Sequence, residues 1–308
     1  MKLNGIGVAL FLATCLPGPA LTRTQSQTQK EEGSAVGVSE EIQRLSSSDP
    51  VKRAAAACAL GKIGKAAIPA IPALITLLGD GHRIEPKLVC YREYFAATKV
   101  EPEFEGLKEP SPGEAAMQTL IGLGRPSVEP LIAALKNDQW RVRKNAAWAL
   151  AQIKDRRSLL PLIAALEDDT WQVRAYSAAA LGQHRDARVT EPLIIALYDK
   201  NAAVRWFAAS SLGPTRDRRA VGPLIVALKD KHPRTRAFAA ASLGQIKDSR
   251  TVIPLIDALK DENAQVRMYA AASLGQQGDS RARGPLQDAL KDERVRFYAR
   301  IALDQLSP

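Results

Sequence analysis

Residues Pro130 to Leu160 read PLIAALKNDQWRVRKNAAWALAQIKDRRSLL, and the pattern restarts every 31 residues at Pro161, Pro192, Pro223, Pro254 and, shortened, Pro285. A fixed period of this size marks an array of supersecondary units, none of which can bury its apolar face alone. In the unit opening at Pro192, Leu193, Ile194 and Leu197 follow the proline at helical spacing, and Val204, Ala208 and Leu212 do so further on. Each unit is therefore two amphipathic helices, and the chain is all-α. Asn201, like Thr170 and Asn263 in neighbouring units, suits an N-cap for the second helix. Pro233 suits a first helical turn. Asp186, Asp217, Asp248 and Asp279 precede the first helices as candidate caps. The repeating proline is expected inside the first helix, bending it.

Looser copies extend the array leftward. Glu40 to Leu45 with Asp49, Pro50 and Val51 make a first unit, and Pro72-Ala73-Leu74-Ile75 opens a second. The closing helix of that second unit, about Glu114 to Gly124, arrives only after an insertion from Gly81 to Gly113. About eight units result. The last carries Arg300 and Asp304 where earlier units have Ala or Gly, as a terminal cap requires, so the array is expected to end near Pro308. Composition agrees, because 46% hydrophobic and 25% charged residues exclude a disordered or collagen-like chain. Aromatics are only 5%, so the core must be made of small residues in closely approaching helices.

The N-terminus carries Lys2, an apolar run from about Ile6 to Leu16, and then Gly18-Pro19-Ala20. This reads as a signal peptide over residues 1–20, followed by a flexible polar leader over 21–37 and the solenoid over 38–308. The run is too short to span a membrane. Leu12-Ala13-Thr14-Cys15 resembles a bacterial lipoprotein box, but Thr14 stands where that box carries Gly, Ala or Ser, so cleavage after Ala20 is favoured over lipidation. The mature protein is expected to be exported, periplasmic or secreted.

The pattern D-x-R-x-x-x-P-L-I-x-A-L-K-D-x-x-x-x-V-R-x-x-A-A-x-x-L-G, seen from Asp248 to Gly275, resembles HEAT-like repeats of the phycobilisome-lyase type. The resemblance covers roughly residues 38–308 and implies a right-handed α-solenoid of the armadillo and HEAT kind. It says little about activity, because such repeats occur in bilin lyases, enzyme-maturation helpers and plain binding proteins.

Motifs for catalysis are missing from the sequence. His82, His184 and His232 share no helix face and read as solvated residues, and no His is followed by Glu as in HEAT-like deoxyhypusine hydroxylases. No phosphate loop, G-x-S-x-G elbow or Cys-x-x-Cys is present, and no cofactor or metal is implied. Cys58 lies on an Ala-rich face as a small hydrophobe; with Cys90 in the insertion it has the option of a disulfide.

The net charge of +10 invites a polyanion reading. Yet Arg143, Arg174, Arg205, Arg236, Arg267 and Arg296 recur at one repeat position, and Arg157, Arg188, Arg219, Arg250 and Arg281 at another. Ten periodic acids, from Asp155 and Asp168 to Asp279 and Asp292, match them, so a charge-assisted ladder along the array is expected. The remaining excess forms no block in the sequence.

Five positions of each second helix form one stripe, and there residue identity varies most. The third unit places Trp140, Arg141, Lys144, Asn145 and Trp148 in it; later units place Trp171 and Tyr176, Trp206 and Phe207, Phe238, and Met268 and Tyr269. All four Trp of the chain are in this stripe. In HEAT-like solenoids the second helices line the concave surface, so the resemblance implies an aromatic groove suited to a protein or peptide partner. Two roles are open to the rings. The series Tyr176, Phe207, Phe238, Tyr269 and Tyr298 suits packing between units, whereas Trp140, Trp148 and Trp206 suit binding. The insertion, with a helix expected near Pro86 to Ala97, is either a lid over the first units or a wall of the groove. The function expected is an exported, non-enzymatic binding scaffold. The alternatives are a lyase-like enzyme or maturation auxiliary using the same groove, and polyanion binding.

Overall fold

The protein is described by a computed structural model over residues 36–85, 111–184 and 186–306. The expected signal peptide, most of the leader, the helix near Pro86 to Ala97, Cys15 and Cys90 lie outside these residues.

The described chain forms eight helix pairs with no strand. The first helices are α1 (36–44), α3 (Ile71–Leu77), α5 (Val128–Ala134), α7 (Leu159–Ala164), α9 (Thr190–Ala196), α11 (Val221–Ala227), α13 (Val252–Ala258) and α15 (Arg283–Ala289). The second helices are α2 (Pro50–Ile63), α4 (Pro112–Leu123), α6 (Trp140–Ile153), α8 (Trp171–Leu181), α10 (Ala202–Leu212), α12 (Pro233–Gln245), α14 (Ala264–Gln277) and α16 (Arg296–Gln305). One stretch, Pro50–Leu77, is apolar and long enough to cross a membrane by composition alone. It is broken at Gly64, where φ is 72°, and its Leu60 and Leu74 are fully buried in the core.

The first helix of each unit departs from the sequence expectation. Asp155, Asp186, Asp217, Asp248 and Asp279 do cap, but what they cap is a 3-10 turn, accepting the N–H two residues on. A short α-helix follows, with the repeating proline third in it, as Pro192 is in α9. That position belongs to the first turn, whose N–H groups lack α-helical partners, so the proline costs little and interrupts nothing. Asn201 and Asn263 cap α10 and α14 through their side chains. Thr170 precedes α8 without a side-chain cap bond, because its Oγ1 turns to the Asp169 carboxylate, 3.1 Å away.

Small residues set how closely the units stack. Successive second helices pack directly on one another, whereas first helices rest mainly on their own partners. The second helices are therefore the more tightly packed row of the array. Gly182, Gly213, Gly244 and Gly275 mark the closest approaches; a Cβ on Gly244 would lie 2.6 Å from the Cβ of Ser273. The facing serines reach across: Ser242 Oγ donates to Ala209 O at 2.6 Å and Ser273 Oγ to Ala240 O at 2.8 Å.

The two arginine series behave differently. Arg143, Arg174, Arg205 and Arg236 each send Nε and Nη2 to an aspartate of the next unit, Asp168, Asp199, Asp230 and Asp261 respectively. Their Nη1 atoms close the turn of their own unit through backbone carbonyls, Arg174 taking Asp168 O and Asp169 O. Arg267 continues the row to Asp292, and Arg53 makes the same contact with Asp80 in the first units. Arg296 reaches only Leu290 O. By contrast, Arg157, Arg188, Arg219, Arg250 and Arg281 turn back on the aspartate two residues before them. The repeating ladder of arginine–aspartate pairs is thus built from one series; the other crosses between units only where Arg157 meets Glu129 at 3.0 Å and where Arg219 and Arg281 reach the carbonyls of Ala187 and Ser249.

Candidate functional site

The row of second helices carries a line of touching rings. Trp148 of α6 meets Tyr176 of α8 edge-on, with centroids 5.5 Å apart and an interplanar angle of 86°. Tyr176 leads to Phe207 of α10 at 5.9 Å, and Phe207 stacks on Trp206 at 3.6 Å. Trp206 stacks on Phe238 of α12 at 5.4 Å, and Phe238 leads to Tyr269 of α14 at 6.2 Å. The spine crosses five consecutive second helices because every ring but Trp148, which sits one helical turn further along, is at, or next to, the same repeat position. Aromatic pairs of this kind hold one another's orientation beyond simple burial.

Burial divides the stripe. Tyr176 and Phe207 are 7% exposed and Asn145 is 4% exposed, so these three work mainly inside the array. Asn145 sends Nδ2 to Leu78 O at 2.8 Å, tying α6 to the C-terminal end of α3 in the previous unit. Trp148, Trp206, Phe238, Met268 and Tyr269 remain half-exposed while resting on the core. One helical turn further along, Ala179, Ser210, Ala241 and Ala272 are also half-exposed, so small residues floor a trough beside the spine. Trp148 occupies the same repeat position in α6 and closes that trough at one end.

Trp140 and Trp171 stand apart from the spine, each as the first residue of its helix. Trp171 is exposed, and Trp140 lies under the Arg141 guanidinium, 4.7 Å from the ring centroid. The insertion leaves the array beside them. Its ends are clasped where the Gly113 N–H donates to Asp80 O at 3.0 Å, and a Cβ on Gly113 would stand 2.7 Å from Leu78 O. Of the insertion's apolar residues, Ile84 is described and buried; Tyr91, Tyr94, Phe95 and Phe104 lie outside the described residues.

Cations flank the rings. Arg234 lies 5.6 Å from the Trp206 ring and Lys144 Nζ lies 5.7 Å from the Tyr176 ring. Burial pulls the Lys144 ammonium below its ordinary pKa; the Glu114 charge opposes this and Arg141 adds to it. The Tyr176 phenol is pushed up, first by burial and then by the Glu114 charge. A titratable group of Glu114, Lys144 and Tyr176 therefore gathers on α4, α6 and α8. Sequence reasoning missed it, because the insertion separates Glu114 from its own unit and no motif links the three.

His184 is a correction to the reading of solvated histidines. It is buried, with Nε2 3.3 Å from Ser158 Oγ, and burial lowers its pKa against the opposing charges of Asp186 and Asp155. His82 is exposed beside Asp80, and His232 is the N-cap residue of α12 without a side-chain cap bond. Among the described residues no three His, Cys, Asp or Glu side chains group to hold a metal. Cys58 is half-buried and disulfide-bonded, and both cysteines able to pair with it, Cys15 and Cys90, lie outside the described residues.

The HEAT-repeat sequence profile matches residues 108–182, 159–225, 190–262 and 222–307, and the PBS lyase HEAT-like repeat profile matches residues 52–80. No curated protein matches the chain in sequence. Among solved structures, the chain resembles YibA of E. coli with a TM-score of 0.56 and 18% identity, covering 93% of this chain and 98% of that one. It resembles the karyopherin Kap121p, bound to the extreme C-terminus of the protein phosphatase Cdc14p, with a TM-score of 0.66 and 14% identity over 91% of this chain. Kap121p bound to Nup53p gives a TM-score of 0.67 at 14% identity. The chain spans about a third of the karyopherin's length, 34% and 33% in these two structures. At these identities the likeness is one of fold, and with the repeat matches running from residue 108 to 307 the chain belongs to the HEAT-repeat family.

Proposed function

We propose that this protein is an exported, non-enzymatic scaffold that binds a protein or peptide through the concave face of its central units. The observation that carries the reading is the aromatic spine. Half-exposed rings on successive helices are held in fixed orientations by their neighbours, beside a trough floored by Ala and Ser. Rigid aromatic anchors next to small residues are what interface hot spots require, since little side-chain entropy is lost on binding. Arg141, Lys144 and Arg234 beside the rings favour a segment pairing apolar side chains with carboxylates. The solenoid fold is compatible with the reading, as the similar karyopherin is bound to protein segments in its structures. A photo-crosslinking residue at Phe238, compared with one at Ile195 on a first helix, tests it in the envelope of the host. Adducts specific to position 238 support the concave face, and adducts only at 195 overturn it.

A second reading draws on Lys144. A desolvated amine beside a buried phenol and a carboxylate is the kind of group an enzyme or maturation auxiliary of the lyase type would use on a substrate held in the same groove. Lys144→Met separates the two, for it abolishes such chemistry and leaves anchoring by Trp206 in place.

A further inference from the structure

Exposed cations lie on both edges of the array, Lys136, Lys200, Lys229, Lys231 and Lys260 on one of them, and on the other they line a cavity. Helices within a unit are antiparallel, so turns inside units lie along one edge of the array and turns between units along the other. On the first edge, the arginine ladder is matched by aspartates. On the second, Asp155, Asp186, Asp217, Asp248 and Asp279 are each held by the arginine two residues on. The side chains of Lys154, Arg156, Arg216, Arg218 and Lys247 are left over on that second edge. All five are exposed and, among the described residues, make no hydrogen bond or ion pair. Asp186 and Asp248 on the same edge are already occupied by Arg188 and Arg250.

The backbone gives a second sign. Lys154 and Arg216 sit at φ of 57° and 54°, and Gly278 takes the same repeat position in a later unit at 71°. A left-handed residue with a Cβ is strained where glycine is not, and such strain persists where the side chain has a task. In the sequence, basic residues recur at this repeat position, as Lys154, Arg185, Arg216 and Lys247, through four consecutive units, and Lys154 and Arg216 take the left-handed turn whereas Lys247 does not. Between the ends of the second helices lies a cavity of about 900 Å³ lined by Arg216, Arg218, Lys247, Gln245, Gln276 and Gln305, with no carboxylate and no aromatic ring in its lining.

We propose that this edge is a docking strip for an extended acidic peptide, distinct from the concave aromatic face and independent of it. Packed helices stand about 8–10 Å apart and an extended chain rises about 3.3 Å per residue. A carboxylate at every third peptide position therefore meets one basic residue per unit. The guanidinium of Arg216 takes a carboxylate by two parallel bonds. Each glutamine offers one donor group and one acceptor, which matches a peptide amide. A single-stranded nucleic acid would also want rings for its bases to stack on, and the cavity lining has none.

The test uses the full chain and three labelled probes read by fluorescence anisotropy: a peptide of about twelve residues with Glu at every third position between Gly and Ser, the same peptide with Gln for Glu, and an oligothymidylate of equal charge. The Glu peptide should bind, the Gln peptide should not, and added salt should weaken the complex. Lys154→Gly with Arg216→Gly should weaken Glu-peptide binding by at least about tenfold. The melting temperature should hold or rise, because glycine relieves the left-handed strain, and Trp206→Ala should leave affinity for this peptide unchanged. The proposal is overturned if the Glu peptide does not bind, if the Gln peptide binds equally, if the double glycine variant binds like the parent, or if the oligothymidylate binds more tightly than the Glu peptide.

Discussion

Removing Asp230 tests how far the arginine ladder holds adjacent units together. Arg205 donates Nε to Asp230 Oδ2 at 2.6 Å and Nη2 to Oδ1 at 2.9 Å, while Asp230 Oδ1 also accepts the His232 N–H at 2.8 Å. The two side chains are only 8% and 12% exposed. Asp230→Ala takes two charge-assisted bonds from a guanidinium that keeps only Asp199 O at 3.0 Å and Lys200 O at 3.3 Å. Orphaning a buried charge costs about 3–5 kcal/mol. The pair sits at the edge of the array, where water can reach the freed guanidinium, so the expected loss is about 2–4 kcal/mol. Arg205→Met with Asp230→Leu should recover much of it, since neither charge is then left alone. Urea unfolding gives the total, and amide hydrogen exchange should show the loosening concentrated between α10 and α12, because units of an array touch only their neighbours. An Asp230→Ala protein with the parent's unfolding curve and exchange pattern would refute the ladder as a source of cohesion.

Other outcomes follow from the same structure. Leu212 is fully buried at the end of α10, and Leu212→Ala should cost about 2–5 kcal/mol in urea unfolding. Gly244→Val should destabilise further than Gly222→Val, because a Cβ at 244 meets Ser273 and one at 222 meets nothing within 4 Å; thermal melting of the two variants checks this. Acid should loosen the array at its turns. Burial raises the carboxyls of Asp199 and Asp230, but hydrogen bonds from Arg174 and Arg205 and from backbone amides outweigh it, so both end below the usual range. Asp248 is lowered to about 2, chiefly by its hydrogen bond from Arg250 against a smaller effect of burial. A depressed folded pKa contributes stability that is fully present above the unfolded value near 3.9 and is lost as pH falls through the folded value. Stability should therefore hold from neutral pH to about 4 and fall below it, and a titration that is flat from pH 5 to 2 would contradict the pairing.

The period, the helix pairs and the stripe on the second helices were legible because each recurs in register, so that a residue such as Leu212 is read against its counterparts. What the repeat could not show is direction. Arg205 and Arg219 look alike in sequence, yet one crosses to the next unit and the other turns back on Asp217, because one leaves a helix side and the other a turn. Tyr176 and Phe238 hold the same position of the stripe, yet Tyr176, between Trp148 and Phe207, is buried while Phe238 stays half-exposed, a difference that the repeat does not encode. The 3-10 turn before α9 was in principle readable from the five residues between Asp186 and Pro192, which leave room for a capped turn and place the proline at a helix start. Contacts that break the repeat, such as Glu114 approaching Lys144 or His184 meeting Ser158, have no counterpart to be compared with and were seen only in the folded chain.

The concave aromatic face is tested most directly by the affinity of a ligand obtained independently of it, such as a peptide selected on the parent protein, for Trp206→Ala and for Ile195→Ala. Trp206 is half-exposed in the spine, whereas Ile195 is 68% exposed on a first helix. Loss of roughly thirtyfold or more in the Trp206 variant, about 2 kcal/mol, with Ile195→Ala unchanged and helicity equal in both, is the result expected of an anchor. Equal affinity of Trp206→Ala and the parent, or a loss confined to Ile195→Ala, would contradict binding through the concave face.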